Sequence, residues 1–360
     1  MTVAAAVVVA CCRAGFEAEA AEDLRRLAAL CRTSAEVDAV PLRGFAAATL
    51  SAFDADRFAR EAVRAPPVFA RSLFAGRGPL AIACSGRDGR IDRVTPLVDA
   101  LAACAASPAR EIWLEFPDTN EGKSLSTLAR AIAPRIEAAL RDRGALDAAS
   151  RTRLHAFLVD RDTAFVGVSD DGFGARWPMG IPRLRMPHGA PSRSTAKLAE
   201  AIVVFLGDRE RKLLRPGLRA VDLGAAPGGW TWQLAHRELK VIAVDNGPLK
   251  GDVAIDPRVT HVRADGLSWR PRSPVDWLVC DIVLQPVRIA ALVADWIADG
   301  LAERAIFNLK LPMKKRYAEV ERCGALIDER LRSARVRHAL RLRQLYHDRE
   351  EVTGFVERLR

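Results

Sequence analysis

Residues 219–230 read Arg-Ala-Val-Asp222-Leu-Gly224-Ala-Ala226-Pro227-Gly228-Gly229-Trp230, and the fold turns on this stretch. An apolar run closing on an acid and a glycine predicts a buried strand and a tight turn. Gly228 and Gly229 then open a helix (GGWTWQLAH) whose first backbone N–H groups a ligand can approach closely. The next strand-like run ends in Asp245, 21 residues after Gly224, where a carboxylate can accept from ribose hydroxyls. A third run ends in Asp265, followed by Gly266. A glycine loop alone is a weak signal; loop, ribose acid and a further strand-end acid together point to an adenosine-containing ligand.

The surrounding pattern supplies the rest of that domain. A helix over TAKLAEAIVVFL, with Leu198, Ile202 and Phe205 on one face, precedes the loop. After it come strand DWLVCDIV, helix RIAALVADWIADG, strand RAIFNLKL, helix YAEVERCGALIDERLRSA and strands HALRLRQLY and EVTGFVERL. Apolar strands alternating with amphipathic helices predict an α/β domain whose doubly wound, mostly parallel sheet is covered on both faces. The last two strands, joined by a short turn, should pair antiparallel.

Ligands of such sheets bind beyond the carboxyl ends of the strands. A dinucleotide site would show G-x-G-x-x-G, and here Ala226 and Pro227 interrupt that spacing. S-adenosylmethionine carries no phosphate and needs donors for a carboxylate, a ribose acid and an adenine slot, which this loop can supply. Asp222 either contacts the ligand or orients its own loop. Two further strands end in Asp281 and in Lys310, at the same edge. A lysine on an apolar strand is costly to bury unless paired. The pair is either a satisfied ion pair or a proton-transfer device, and its place at the ligand edge favours the second.

The first half reads as small α+β modules. Strand TVAAAVVVAC leads into a helix with Ala21, Leu24, Leu27 and Leu30 on one face. Later come AIAC, a helix through Val94–Cys104, EIWLEF, a helix through Ser124–Ala139, LHAFLVD and TAFVGVSD. Residues 116–123 (FPDTNEGK) read as a polar loop. Residues 176–193 carry Pro178, Pro182, Pro187 and Pro191 among Arg176, Arg183, Arg185 and Arg193; this density forbids regular structure and marks a basic arm at a domain boundary near residue 175.

With 49% hydrophobic and 28% charged residues, the 360-residue chain is neither disordered nor low-complexity, and no apolar run reaches the ~18 residues of a membrane span. The N-terminus lacks a basic region and a cleavage site, so it reads as a strand, not a signal peptide. Seven cysteines without a C-x-x-C offer no disulfide framework and no metal site, and suit the cytoplasm. The net charge of +10 is unevenly spread. Residues 1–150 hold 19 basic and 19 acidic groups, whereas 176–219 hold ten against three and 301–349 thirteen against six. Lys314, Lys315 and Arg316, with Arg341, Arg343 and Arg349, can form a basic rim that grips RNA phosphates.

The segments DLGAAPGGW, CDIV and NLK resemble the FtsJ-like 2′-O-ribose methyltransferases. AGFEAEA, RVTP, DTNE, PMGIPRL, APSRSTAKL, VDNGPL, NLKLPMKKRY and RQLYHDREEVT resemble more specifically the RlmM family, which methylates a cytidine of 23S rRNA. The resemblance implies a ferredoxin-like module over 1–75, an RNA-binding THUMP module over 76–175 and a Rossmann-like methyltransferase domain over 176–360, with 176–193 as its arm. It implies S-adenosylmethionine bound by Ser194, Ala226, Pro227, Gly228, Gly229, Asp245, Asp265 and Asp281. Ala226 replaces a cysteine of some relatives, which matters little where the backbone is the ligand. A Lys-Asp-Lys-Glu tetrad maps onto Lys197, Asp281, Lys310 and Glu351. Glu350 is adjacent, and because neighbours on a strand face opposite ways only one glutamate should reach the site. Lys310 would take the ribose proton if Lys197 lowered its pKa; alternatively it orients the hydroxyl while water takes the proton. The implied partner is 23S rRNA, naked or in an early assembly intermediate, with no membrane and a monomeric enzyme. The rival readings are methylation of another RNA, a non-catalytic RNA-binding protein on this fold, and a nucleotide-dependent oxidoreductase, against which the broken glycine spacing speaks.

Overall fold

The computed structural model describes residues 2–3, 6–85, 91–186 and 188–359. Pro187 of the arm and residues 4–5 of the first expected strand lie outside them. The chain divides into two compact units, Met1–Ile181 and Pro182–Arg360. Among the described residues no helix is long and apolar enough to cross a membrane.

The first unit is built on one seven-stranded sheet. Its early part comprises β1 (Ala6–Cys11), α1 (Glu17–Leu30), β2 (Ala35–Asp38), β3 (Phe45–Leu50), α2 (Ala55–Arg64) and β4 (Ser72–Ala81). The order β2-β3-β1-β4 with antiparallel pairing is the split βαβ arrangement of ferredoxin-like modules. The later part adds α3 (Val94–Ala102), β5 (Glu111–Glu115), α4 (Ser126–Asp142), β6 (Arg153–Leu158) and β7 (Thr163–Ser169). Strand β4 runs through the expected 75/76 division and pairs with β1 on one side and β7 on the other, so both expected modules share one sheet. Gly76 faces Gly167 across the join; a Cβ on either would lie 2.0 or 2.4 Å from the opposing backbone carbonyl oxygen.

Two local expectations change. Residues 116–123 are not all loop: Asn120–Ser124 is a helical turn, capped by the Thr119 hydroxyl accepting from the Gly122 N–H at 2.9 Å. The start of the basic arm belongs to the first unit. Met179 is buried and its N–H donates to Glu115, whose carboxylate also bonds His155 Nδ1 at 2.7 Å. A backbone donor held by a buried carboxylate ties residues 178–181 to this sheet, so the compact division falls six residues later than the composition suggested.

The second unit contains α5 (Ser194–Leu206), β8 (Arg219–Leu223), α6 (Gly229–Ala235), β9 (Lys240–Val244), β10 (Val259–Val262) and β11 (Val275–Cys280). It continues with α7 (Pro286–Ala298), β12 (Ala302–Lys310), α8 (Arg316–Ser333), β13 (His338–Arg343) and β14 (Glu351–Arg358). The sheet order is β10-β9-β8-β11-β12-β14-β13. The first five strands are parallel, and β14 inserts antiparallel between β12 and β13. Ile289, Val293, Trp296, Cys323, Ile327 and Leu331 bury one face. Leu198, Ile202, Phe205, Trp230 and Leu234 bury the other. This is the Rossmann-like, doubly wound sheet that the alternation of strands and helices predicts.

Candidate active site

The carboxyl ends of β8, β9, β11 and β12 lie along one edge of the sheet, which gathers their following loops together. After β8 the chain turns through Gly224 and enters α6 at Gly228, whose φ of +115° few side chains tolerate. Gly229 is pressed against the end of the arm: a Cβ there would sit 2.4 Å from Ser192 Oγ and 2.5 Å from Ser194 Oγ. Trp230 Nε1 donates to the Ser194 carbonyl at 3.1 Å and Gln233 to that of Thr195 at 3.2 Å, so α6 and the start of α5 are pinned together. Trp230 and Trp232 are core residues.

Asp222 is buried, and its Oδ2 accepts from the Thr231 hydroxyl at 2.6 Å. It therefore orients its own loop. Its Oδ1 is buried with no hydrogen-bond partner. Burial, opposed by the Thr231 hydrogen bond and aided by the charges of Asp281 and Asp245, raises this carboxyl to about 7. Asp245 accepts from the N–H groups of Ala226 (3.0 Å) and Gly247 (2.7 Å), clamping the glycine loop to the end of β9. Asp265 is exposed and accepts from the Leu267 N–H at 3.0 Å. Carboxylates thus line the edge, one with an orphaned oxygen. A polyanionic pyrophosphate would meet repulsion here, whereas a cationic, phosphate-free adenosine compound fits the donors and acids present.

At the neighbouring strand ends four charged side chains interlock. Lys310 Nζ donates to Asp281 Oδ1 at 2.6 Å and to Glu351 Oε2. Lys197 Nζ bonds Glu351 Oε1 and lies 3.7 Å from Asp281 Oδ2. The elements responsible are α5 for Lys197, the end of β11 for Asp281, the end of β12 for Lys310 and the start of β14 for Glu351. Antiparallel pairing places Glu351 opposite Lys310. Glu350 turns outward and binds Arg316 at 3.1 Å.

Lys310 departs from expectation. Burial pulls its pKa down, but the charges of Asp281 and Glu351 and their hydrogen bonds outweigh burial and push it up to about 12. The two carboxylates, not Lys197, decide the direction of this shift. Lys310 is therefore an ammonium at neutral pH, not a resting base. Arg341 is a second correction: its guanidinium lies 5.1 Å from the Phe355 ring centroid and 5.5 Å from that of Phe205, and bonds the Phe205 carbonyl, so it leaves the expected basic rim. Lys314 and Lys315 are exposed, as are Arg183, Arg185 and Arg193.

Sequence reasoning passed over Asn308, Thr353, Asp348 and Glu200. Asn308 donates to Asp281 Oδ1 at 2.9 Å. Glu200, one turn after Lys197, accepts from the N–H groups of Tyr346 (2.7 Å) and His347 (2.9 Å), holding the loop before β14 against α5. The available signal was a polar residue on an apolar strand, which must find a partner.

The sheet order, glycine loop and charged cluster define a Rossmann-like methyltransferase of the FtsJ-like kind, and residues 190–323 match the family described as FtsJ-like methyltransferase. Residues 92–170 match the family described as ribosomal RNA large subunit methyltransferase M, N-terminal. Proteins named ribosomal RNA large subunit methyltransferase M are similar over most of the chain. That of Methylococcus capsulatus is 47% identical, covering 96% of each chain. That of Aromatoleum aromaticum is 48% identical over 97% of this chain and 94% of its own. That of Laribacter hongkongensis is 52% identical over 75% and 76% respectively. The chain belongs to the ribosomal RNA large subunit methyltransferase M family, and S-adenosylmethionine is its cofactor.

Proposed function

We propose that the protein transfers a methyl group from S-adenosylmethionine to the ribose 2′-hydroxyl of a cytidine in 23S rRNA, as free rRNA or an early assembly intermediate, in the cytoplasm. The observation that carries this reading is the closed ring of Lys197, Asp281, Lys310 and Glu351 beside the glycine loop. The loop from Ala226 to Gly229, with Ser194, Asp245, Asp265 and Asp281, would hold the cofactor, which supplies an electrophilic methyl group. The protein's own task is to place a weakly acidic hydroxyl in line and to manage its proton. Lys310, held as an ammonium, donates to the hydroxyl oxygen and aims its remaining lone pair. The proton leaves to water as the new O–C bond forms, when the hydroxyl has become strongly acidic. Asp281 and Glu351 hold both ammonium groups in place, and the ring carries no net charge. The exposed Lys314 and Lys315, close in sequence to Lys310, suit phosphate contacts. The near-neutral first half suits a module that reads RNA by shape.

Ribose-methylation mapping of rRNA from a strain lacking the protein, complemented with wild type or Lys310→Ala, tests this. One cytidine of 23S rRNA should lose its mark and regain it only with wild type. Loss at another RNA would redirect the substrate assignment, and an unchanged map would refute it.

A further inference from the structure

Behind Asp281 a line of side chains runs into the interior of the second unit. Asn308 Nδ2 donates to Asp281 Oδ1 at 2.9 Å. Thr353 Oγ1 lies 2.8 Å from Asn308 Oδ1, and 3.1 and 3.0 Å from the two carboxyl oxygens of Asp348. Asn308, Thr353 and Asp348 are all fully buried. The Leu345 N–H donates to Asp348 Oδ2 at 2.9 Å.

Counting protons fixes the direction of this line. A carboxylate only accepts, so Asn308 must turn its amide N–H₂ toward Asp281 and its carbonyl toward Thr353. Thr353 has one hydroxyl proton, and Asn308 Oδ1 requires it. Thr353 then has only lone pairs to offer Asp348. Two acceptors do not bond, so Asp348 must bring a proton of its own.

We propose that Asp348 is a neutral carboxylic acid that donates to Thr353 and, through Thr353 and Asn308, fixes the carboxylate of Asp281 beside Lys310. Asp348 is thus a positioning residue for methyl transfer, an assignment that rests on the reading of Asp281 given above. The electrostatics agree. Burial first, and then the negative charges of Glu351 on β14 and Glu200 on α5, hold the Asp348 carboxyl well above its usual range. The nearby cations, Lys197 and Lys310, are both engaged by Glu351.

Two substitution pairs and two physical readouts test this. Asp348→Asn keeps a donor toward Thr353, and Asp348→Ala removes it. Methylation of rRNA by Asp348→Asn should stay within about threefold of wild type, while Asp348→Ala loses about tenfold or more in kcat with an unchanged KM for S-adenosylmethionine. Thr353→Ser keeps the hydroxyl and Thr353→Val deletes it, and they should divide in the same way if position 348 tolerates no change. The physical readouts need no RNA. A carboxyl protonated in the folded chain and ionised in the unfolded one makes stability fall as pH rises above about 4. Relative to Asp348→Asn, wild type should lose up to about tenfold in folding equilibrium constant per pH unit there. The infrared difference spectrum of the two at pH 7 should carry the carbonyl stretch of a protonated acid. Parallel stability profiles without that band, or a Thr353→Ser as poor as Thr353→Val, would overturn the proposal. Failure of the rRNA assignment alone would leave the stability and infrared results intact.

Discussion

Lys310 and Glu351 face one another as register partners on antiparallel strands, and the Glu351 carboxylate is shared between Lys310 and Lys197. Glu351 is the only member of the charged ring to bond both ammonium groups through separate oxygens at hydrogen-bond range. Its neighbour Glu350 meets Arg316 at the surface. Glu351→Gln should therefore lower single-turnover methylation by about a hundredfold or more, in line with the loss of a charge-assisted bond to each lysine. Glu350→Gln should stay within about threefold, as exposed ion pairs contribute little. Equal losses would mean that both glutamates serve the site.

The state of Lys310 sets the pH behaviour. Its folded pKa of about 12 lies above the ordinary lysine value, so the stability it contributes is fully present below about 10.5 and is lost only as pH rises through 12. Between pH 7 and 9 the rate of methyl transfer should show no inflection from this amine. A rate that climbs tenfold per pH unit over that range would mean that the small unprotonated fraction of Lys310 takes the ribose proton instead.

Asp222 acts with the same sign in a lower pH window. Its carboxyl is raised to about 7, so the folded chain binds a proton that the unfolded chain releases. Stability should fall from about pH 4 to pH 7 and level off above. Asp222→Asn, which can still accept from Thr231, removes this loss. In urea titrations the variant should gain on wild type between pH 5 and pH 8, by an order of a few kcal/mol. Parallel profiles would contradict a protonated Asp222.

Gly229 is where the arm meets the glycine loop. An added methyl would fall 2.4 and 2.5 Å from the Ser192 and Ser194 hydroxyls and 3.0 Å from the Thr195 nitrogen. Gly229→Ala should cost about 1–3 kcal/mol in stability. It should weaken S-adenosylmethionine binding by about tenfold or more, as read by calorimetry. Unaltered affinity would separate this contact from the cofactor pocket.

Lys314 and Lys315 are exposed at the turn after β12. Replacing both with Ala should weaken RNA binding uniformly across sequences. It should also reduce the slope of log K against log salt by about 1.5. An unchanged slope would move the phosphate contacts elsewhere, for instance to Arg183, Arg185 and Arg193.

The methyltransferase half was legible because its signals are local. Gly224, Gly228 and Gly229 announce the loop, and Asp245 and Asp281 close apolar runs. Lys310 stands out as a charge on a strand of Ala, Ile, Phe and Leu. Three features were not legible, and each depends on contacts between distant parts of the chain. The choice of Glu351 over Glu350 follows from the insertion of β14 beside β12. The protonation of Lys310 follows from two carboxylates converging on one amine. Arg341 reads as a surface cation until Phe205 and Phe355 enclose it. In the first half, β3 and β4 carry no strong periodic signal: β3 is alanine-rich and buried, and β4 holds two glycines and a proline.

The insertion of β14 also orders events in time. Synthesis proceeds from the N-terminus, so the glycine loop, Asp245, Asp281 and Lys310 all emerge before Glu351, and β12 waits with an open edge for a strand made 41 residues later. The strand ends that carry Asp245, Asp281 and Lys310 are thus made before the carboxylate that Lys310 and Lys197 come to share.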